Sequence, residues 1–369
     1  MIKILQLNKL SVHDLGGVET IFRQFSEVIS EHCELTNVSA TFIESRSVKD
    51  ARQYKNLMFK PLFKVGNLSF SFKLIFNLAK HYLSDYYNYR IIHLPFPIAM
   101  VICHSFFTKN TIVVFHAETK KFGLLGKLCT KADIFLCKRA KYVLVSSNIM
   151  KSNLMEYGVA QEKIRLIPFW LDEKQEALAS LEYSENNPVE VVCVAIGRYS
   201  RYKGWDSYPQ IIKQLPNVKF KLVISTDPPV DLVRQLSQFD NVELHIGKVS
   251  EEQKYLLLAK SDILLFLSTD EAEAFGIVQL EAMCSKVAIV NTNLKTGVPE
   301  VSVHNITGKT VEITANEINP DDVVKAISEL AVSGLDKVKQ NSRQRYHENY
   351  SFLTGTSRLL RFVEELEVE

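Results

Sequence analysis

The sequence predicts an α/β protein of two domains, each built on a parallel sheet. Three observations carry this. The chain has 369 residues, beyond the size at which a single hydrophobic core keeps growing. Short apolar runs alternate with longer amphipathic stretches through both halves, the pattern of strand–helix–strand units. A polar, turn-prone stretch, Ser184-Glu185-Asn186-Asn187-Pro188, separates the two series, and such composition marks a linker.

Taken in order, residues 2–7 read as the first strand. Gly16-Gly17 follows, and residues 18–30 carry a helical period. Residues 89–93, 111–115 and 142–146 read as buried strands, each followed by helix-like sequence. The second half repeats the pattern at 190–196, 219–225, 242–246, 263–266 and 287–291. From about Asp336 the chain reads as helical.

Apolar residues make up 46% of the chain and charged residues 23%, which excludes disordered and collagen-like classes. The formal net charge of +2 hides an asymmetry. Residues 1–180 carry 24 Lys/Arg against 15 Asp/Glu, and residues 181–369 carry 20 against 27. The halves, at +9 and −7, therefore face different partners or each other. No nucleic-acid partner is expected. None of the six cysteines forms a C-x-x-C pair, so buried free thiols in a reducing compartment are expected. No Cys/His cluster has metal-ligand spacing, and no metal is expected. The opening MIKILQLNKL reads as a core strand rather than a signal peptide. The longest membrane-span candidate, residues 91–107, is interrupted by His93, Pro95, Pro97 and His104. The expectation is a cytoplasmic protein, at most peripheral on the inner face of the cytoplasmic membrane.

Residues 51–84 suggest how it would attach. Six basic residues (Arg52, Lys55, Lys60, Lys64, Lys73, Lys80) and no acidic ones alternate there with Phe59, Phe63, Phe70, Phe72 and Phe76. Such a segment suits an anionic lipid surface. A helical hairpin packing its aromatics on the domain core accounts for the same residues.

The chemistry concentrates in the second half. Gly197-Arg198-Tyr199-Ser200-Arg201-Tyr202-Lys203-Gly204 leaves the strand at 190–196, and ligands bind such folds at the carboxyl ends of their strands. Arg198 and Lys203 offer two fixed cations, which suit a diphosphate leaving group as its charge develops. Glu273-Ala274-Phe275-Gly276-Ile277-Val278-Gln279-Leu280-Glu281 follows the strand at 263–266. A helix is expected to begin near Phe275 or Gly276, where free amides favour an anion. Carboxylates at Glu273 and Glu281 suit sugar hydroxyls, which donate to them.

This combination resembles the retaining GT-B glycosyltransferases of family four. The likeness runs through nearly the whole chain. Glu273 and Glu281 match the E-x7-E motif, and Gly197–Gly204 the G-R-x4-K-G loop. Gly16-Gly17 match the glycine turn after the first strand, and His116 the histidine closing a strand of the first domain. The stretch 291–300, with Thr307-Gly308, resembles a subgroup that builds bacterial surface polysaccharides. Two features depart from the pattern: Pro168-Phe169-Trp170 stands at the domain exit, and Lys286 near a usual tight turn.

The resemblance implies a GT-B fold, with two facing Rossmann-like domains and a central interdomain cleft. Residues 1–184 would form the acceptor-side domain and 185–345 the nucleotide-sugar domain, with a terminal helix at 346–369 crossing back. Arg198 and Lys203 would hold the donor diphosphate and Glu281 the ribose. Glu273 and the amides of Phe275, Gly276 and Ile277 would hold sugar or phosphate. Gly16 and Gly17 would let backbone approach the diphosphate. His116 would contact the sugar near the reacting carbon. The implied reaction is retaining and metal-independent. It moves a hexose from GDP-mannose, or secondly a UDP-sugar, to a saccharide acceptor that includes polyprenyl-diphosphate-linked saccharides. No cofactor is implied, because the nucleotide sugar is a co-substrate. A catalytically silent nucleotide-sugar or polysaccharide-binding subunit is the alternative of another class, and a sugar phosphorylase or nucleotide-sugar epimerase is a third. Taken alone, His116 reads as a core histidine; Ser146-Ser147 lack a nucleophile elbow and read as turn or capping residues.

Overall fold

The computed structural model describes residues 1–10, 17–40, 54–59, 63–65, 68–70, 84–95, 110–117, 123–181, 190–332 and 334–368. The chain divides into two compact units, one of Met1–Phe169 with Thr356–Glu369, the other of Trp170–Gly355.

The first unit is built on seven parallel strands: β1 (Lys3–Leu10), β2 (Glu34–Ala40), β3 (Lys55–Phe59), β6 (Tyr89–Leu94), β7 (Thr111–Phe115), β8 (Tyr142–Val145) and β9 (Ile164–Leu166). Their order is β3-β2-β1-β6-β7-β8-β9. The chain winds outward one way from β1 and then the other way from β6, so the β1–β6 junction is a switch point. β7 and β8 are buried along their whole length, as strands covered on both faces must be. The helix Gly17–Ser30 turns Ile21, Phe22, Phe25, Val28 and Ile29 into this core. Ser147 caps the helix Asn148–Glu156, its Oγ accepting from the Met150 amide at 3.1 Å.

β2 escapes a reading by apolar runs because Thr36, Asn37 and Ser39 are buried in it. Asn37 Nδ2 meets its need by donating to Ser26 Oγ at 2.9 Å. β3 is the sheet's edge, and β4 (Phe63–Val65) pairs antiparallel with β5 (Leu68–Phe70). The described parts of 51–84 are thus strands rather than arms of a helical hairpin. Most of the segment proposed for lipid lies outside the described residues.

The second unit repeats the topology with β10 (Val192–Gly197), β11 (Lys219–Ile224), β12 (Val242–Ile246), β13 (Ile263–Phe266), β14 (Ala288–Thr292) and β15 (Gly308–Val311), in the order β12-β11-β10-β13-β14-β15, all parallel. A small hairpin joins β16 (Ile313–Thr314) and β17 (Glu317–Ile318). Phe220, Leu222, Ile263, Leu265 and Val290 from the sheet pack with Trp205, Ile211 and Ile327 from its helices. Two Rossmann-like parallel sheets are therefore the fold of this chain.

The unit boundary falls at Phe169–Trp170; the polar stretch at 184–188 lies outside the described residues. Trp170 is fully buried in the second unit, and a Cβ on Gly355 would stand 2.3 Å from its Cγ, so only glycine fits there. The last helix, Phe352–Val368, begins in the second unit and runs into the first. There Leu359, Phe362, Val363 and Leu366 fill the core. Tyr89 donates its hydroxyl to the Leu366 carbonyl at 3.1 Å, and Arg165 pairs with Glu365.

The described cysteines are all buried and free. On the helix Gly123–Arg139, Asp133 is 1% exposed and neither carboxyl oxygen has a hydrogen-bond partner. Burial without compensation pushes this carboxyl up to about 8. Among the described residues no helix is long and apolar enough to cross a membrane.

Candidate active site

β10 and β13 are neighbours at the switch point of the second sheet. Two loops leave their carboxyl ends side by side, 198–204 after β10 and 267–276 after β13. The Thr269 amide donates to the Tyr202 carbonyl at 2.7 Å and ties the loops together. The Tyr199 amide donates to Thr226 Oγ1 at 2.8 Å, anchoring the first loop to the one after β11.

Gly204 makes this junction possible. Its φ is +72°, and a Cβ there would lie 2.3 Å from the Leu267 carbonyl oxygen. Left-handed backbone costs a non-glycine residue about 1–2 kcal/mol before any clash is counted. Gly204→Ala is therefore expected to destabilise the protein by at least about 2 kcal/mol. Denaturant unfolding checks this; a midpoint unchanged from wild type would mean the loops separate freely.

The tie brings the charged groups together. Lys203 Nζ forms an ion pair with Glu273 Oε2, and Ser268 Oγ donates to the same oxygen at 3.4 Å. Both side chains are mostly buried, and the ammonium lies 5.1 Å from the Phe266 ring centroid. Arg198 donates from Nη2 to the Tyr202 hydroxyl at 2.9 Å, while its carbonyl accepts from Trp205 Nε1 at 3.0 Å. Donation to Tyr202 raises the Arg198 pKa above its ordinary value; burial opposes the rise and the Glu273 charge adds to it. Arg198, Lys203 and Glu273 thus form one electrostatic cluster at the carboxyl edge of the sheet. Partial burial makes each charge count for more than it would in bulk water.

Phe275 and Gly276 lead into the helix Ile277–Cys284, which starts at Ile277. Gly276 has φ +78°, and a Cβ there would meet the Phe266 ring at 2.5 Å. A buried polar network holds this turn. Gln279 Nε2 donates to the Phe275 carbonyl at 2.9 Å. Asn291 Nδ2 donates to Gln279 Oε1 and to the Val298 carbonyl, both at 3.0 Å. The Gly297 amide donates to the Ala274 carbonyl at 2.8 Å. The loops after β13 and β14 are therefore fixed relative to each other.

Glu281 lies one turn into that helix and is 6% exposed. Its Oε1 pairs with Lys254 Nζ at 2.7 Å, and Lys254 also reaches Glu251 at 2.8 Å. Burial opposes the Lys254 charge, but Glu281 and Glu251 outweigh it and hold the ammonium above the usual lysine range. Glu281 thus belongs to a second cluster, organised by a lysine that the sequence reading missed. Lys254 sits in the helix Glu251–Ala259, whose Glu-Glu-Gln-Lys opening looks like an ordinary solvated turn.

In the first unit, Gly17 is the first residue of the helix Gly17–Ser30, while Gly16 lies outside the described residues. His116 follows β7 at the carboxyl edge and is 3% exposed. Its Nε2 is 2.9 Å from Nδ1 of His93, and its ring centroid is 5.5 Å from that of Phe169.

Comparison with known proteins fits this arrangement. Residues 15–175 match the family model "Glycosyltransferase Family 4", and residues 182–349 match "Glycosyl transferases group 1". The O-antigen chain mannosyltransferase C of Escherichia coli is 23% identical over 353 residues, 91% of each chain. The D-rhamnosyltransferase WbpZ of Pseudomonas aeruginosa is 28% identical over 241 residues, 62% of this chain and 60% of that one. The crystal structure of Anabaena HepE in complex with UDP and glucose superposes with a TM-score of 0.75 at 15% identity, covering 99% of this chain and 100% of that one. Fold and matches together define the class: the chain has the architecture of a GT-B glycosyltransferase. Within that class, the first half is similar to the family 4 model and the second half to the group 1 model.

Proposed function

We propose that this chain is a retaining hexosyltransferase of surface-polysaccharide synthesis, using a nucleotide-diphosphate sugar. The observation that carries the proposal is the Arg198–Lys203–Glu273 cluster at the switch point of the second sheet. Arg198 and Lys203 hold the diphosphate, and an incoming diphosphate competes with Glu273 for Lys203. Glu273 so released accepts from donor-sugar hydroxyls. Glu281, held by Lys254, takes the ribose hydroxyls. The amides of Phe275, Gly276 and Ile277, held by Gln279 and Asn291, support sugar or phosphate. His116 contacts the sugar, and Gly16 and Gly17 admit the diphosphate to backbone.

GDP-mannose is the first choice of donor, in keeping with the mannosyltransferase relative; a UDP-sugar is the second, in keeping with the UDP-bound structural neighbour. The acceptor is a saccharide, polyprenyl-diphosphate-linked saccharides included, and such a carrier sets the reaction at the inner face of the cytoplasmic membrane. The step needs no metal of its own. The bond from the anomeric carbon to the phosphate oxygen breaks as the acceptor oxygen joins the same face. The acceptor's proton passes to the leaving phosphate oxygen, whose charge Arg198 and Lys203 stabilise.

A thermal-shift panel of GDP, UDP, ADP and their sugars tests the proposal. A ligand at a hundred times its dissociation constant adds about 2.7 kcal/mol of stability. Absence of any shift across the panel sinks the nucleotide-sugar reading. NMR of the product's anomeric centre separates retention from inversion.

A further inference from the structure

We propose that His93 and Gln6 are positioning residues that hold His116 neutral with its proton on Nδ1, so that His116 serves as a hydrogen-bond donor and not as a base through Nε2. The chemical role of His116 rests on the transferase reading above; its protonation state does not.

The three residues come from adjacent strands. Gln6 is on β1, His93 on β6, and His116 directly follows β7. Gln6 and His93 are fully buried and His116 nearly so. Gln6 Nε2 lies 3.2 Å from the Phe22 carbonyl oxygen and 2.9 Å from His93 Nε2. His93 Nδ1 lies 2.9 Å from His116 Nε2. The imidazole centroids are 5.2 Å apart with planes inclined by 20°, so the two rings meet edge to edge along the N···N line. Phe22 and Phe25 present their rings edge-on to His93 at 5.3 and 5.5 Å and keep water away.

One consistent set of protons follows. The Phe22 carbonyl can only accept, so the Gln6 nitrogen facing it is the amide NH₂. That NH₂ has a second hydrogen, which goes to His93 Nε2. His93 Nε2 is therefore the bare nitrogen, and its proton sits on Nδ1. Nδ1–H donates to His116 Nε2, which leaves the His116 proton on Nδ1. A charged His93 would set Nε2–H against the Gln6 amide. Burial, reinforced by His116, also lowers the His93 pKa well below the ordinary histidine value. An imidazole in water prefers its proton on Nε2, so the chain imposes the less common tautomer. The direction is set at Gln6, two strands away from His116.

Long-range ¹H–¹⁵N spectra of ¹⁵N-histidine-labelled protein show which ring nitrogen carries each proton. The expected result near neutral pH is Nδ1–H on both His93 and His116. Nε2–H on His116, or a charged ring, overturns the proposal. His93→Asn keeps an NH₂ group where Nδ1 stood, and His93→Leu removes it. In the leucine variant His116 is expected to shift to Nε2–H, and in the asparagine variant to keep Nδ1–H. With a donor from the panel in hand, kcat is expected to fall at least tenfold in His93→Leu, with donor KM within about twofold, and to recover partly in His93→Asn. Loss of kcat in both variants alike would make His93 a packing residue only and overturn the positioning role. If no nucleotide sugar is turned over, the transferase reading fails, while the spectra still decide the protonation state.

Discussion

Replacing Lys203 by alanine is expected to lower kcat for sugar transfer by about 10²–10³-fold, while the dissociation constant of the donor rises less than about tenfold. The asymmetry follows from where the charge develops. On the proposed reading, Arg198 already gives the diphosphate counter-charge in the ground state. As the glycosidic bond breaks, negative charge builds on the leaving oxygen, and a cation placed there in advance helps the transition state more than the bound substrate. Lys203 is placed for this by two features, the Thr269–Tyr202 hydrogen bond and the Gly204 turn; in the free protein Glu273 holds it there. Arginine should not restore full activity, because its planar fork does not occupy the place of a compact ammonium. Steady-state kinetics with calorimetric titration of the donor make the measurement. Equal losses in kcat and in affinity would reduce Lys203 to a binding residue.

The second large effect concerns stability. Asp133 has its pKa raised from 3.8 to about 8 by burial. Between those values the folded protein keeps a proton that the unfolded chain has released. Stability from this group is therefore complete below about pH 4, falls by about 1.4 kcal/mol for each pH unit above that, and levels off past about pH 8. Asp133→Asn keeps the shape without the ionisation. It is expected to be more stable than wild type by several kcal/mol at pH 8, on the order of 5, and nearly equal to it at pH 4. Urea unfolding at both pH values checks the slope. Parallel curves for the two proteins would show that Asp133 is ionised in the folded state.

Much of this arrangement could be read from residue order. β10, β13 and the loops after them announce themselves because apolar strands end at charged residues near glycine, and strand ends are where such folds bind ligands. What stayed hidden has a common cause: a polar residue inside the core looks like a surface residue in one dimension. β2 was obscured by Asn37, and Lys254 by its acidic neighbours. His93 is the sharpest case. In the run Ile91-Ile92-His93-Leu94-Pro95 it registers as a break in an apolar stretch. Only the pairing of β1, β6 and β7 shows that it bridges Gln6 to His116. The unit boundary was hard for another reason. Trp170 is sealed by the absent side chain of Gly355, a contact across 185 positions that no local composition betrays.

The path of the last helix has a consequence for synthesis. Residues 170–355 are continuous and can condense as soon as they leave the ribosome. The amino-terminal unit, although made first, must wait for Leu359, Phe362, Val363 and Leu366 to close its core. A stop after Gly355 would release a chain whose first half exposes a greasy seam.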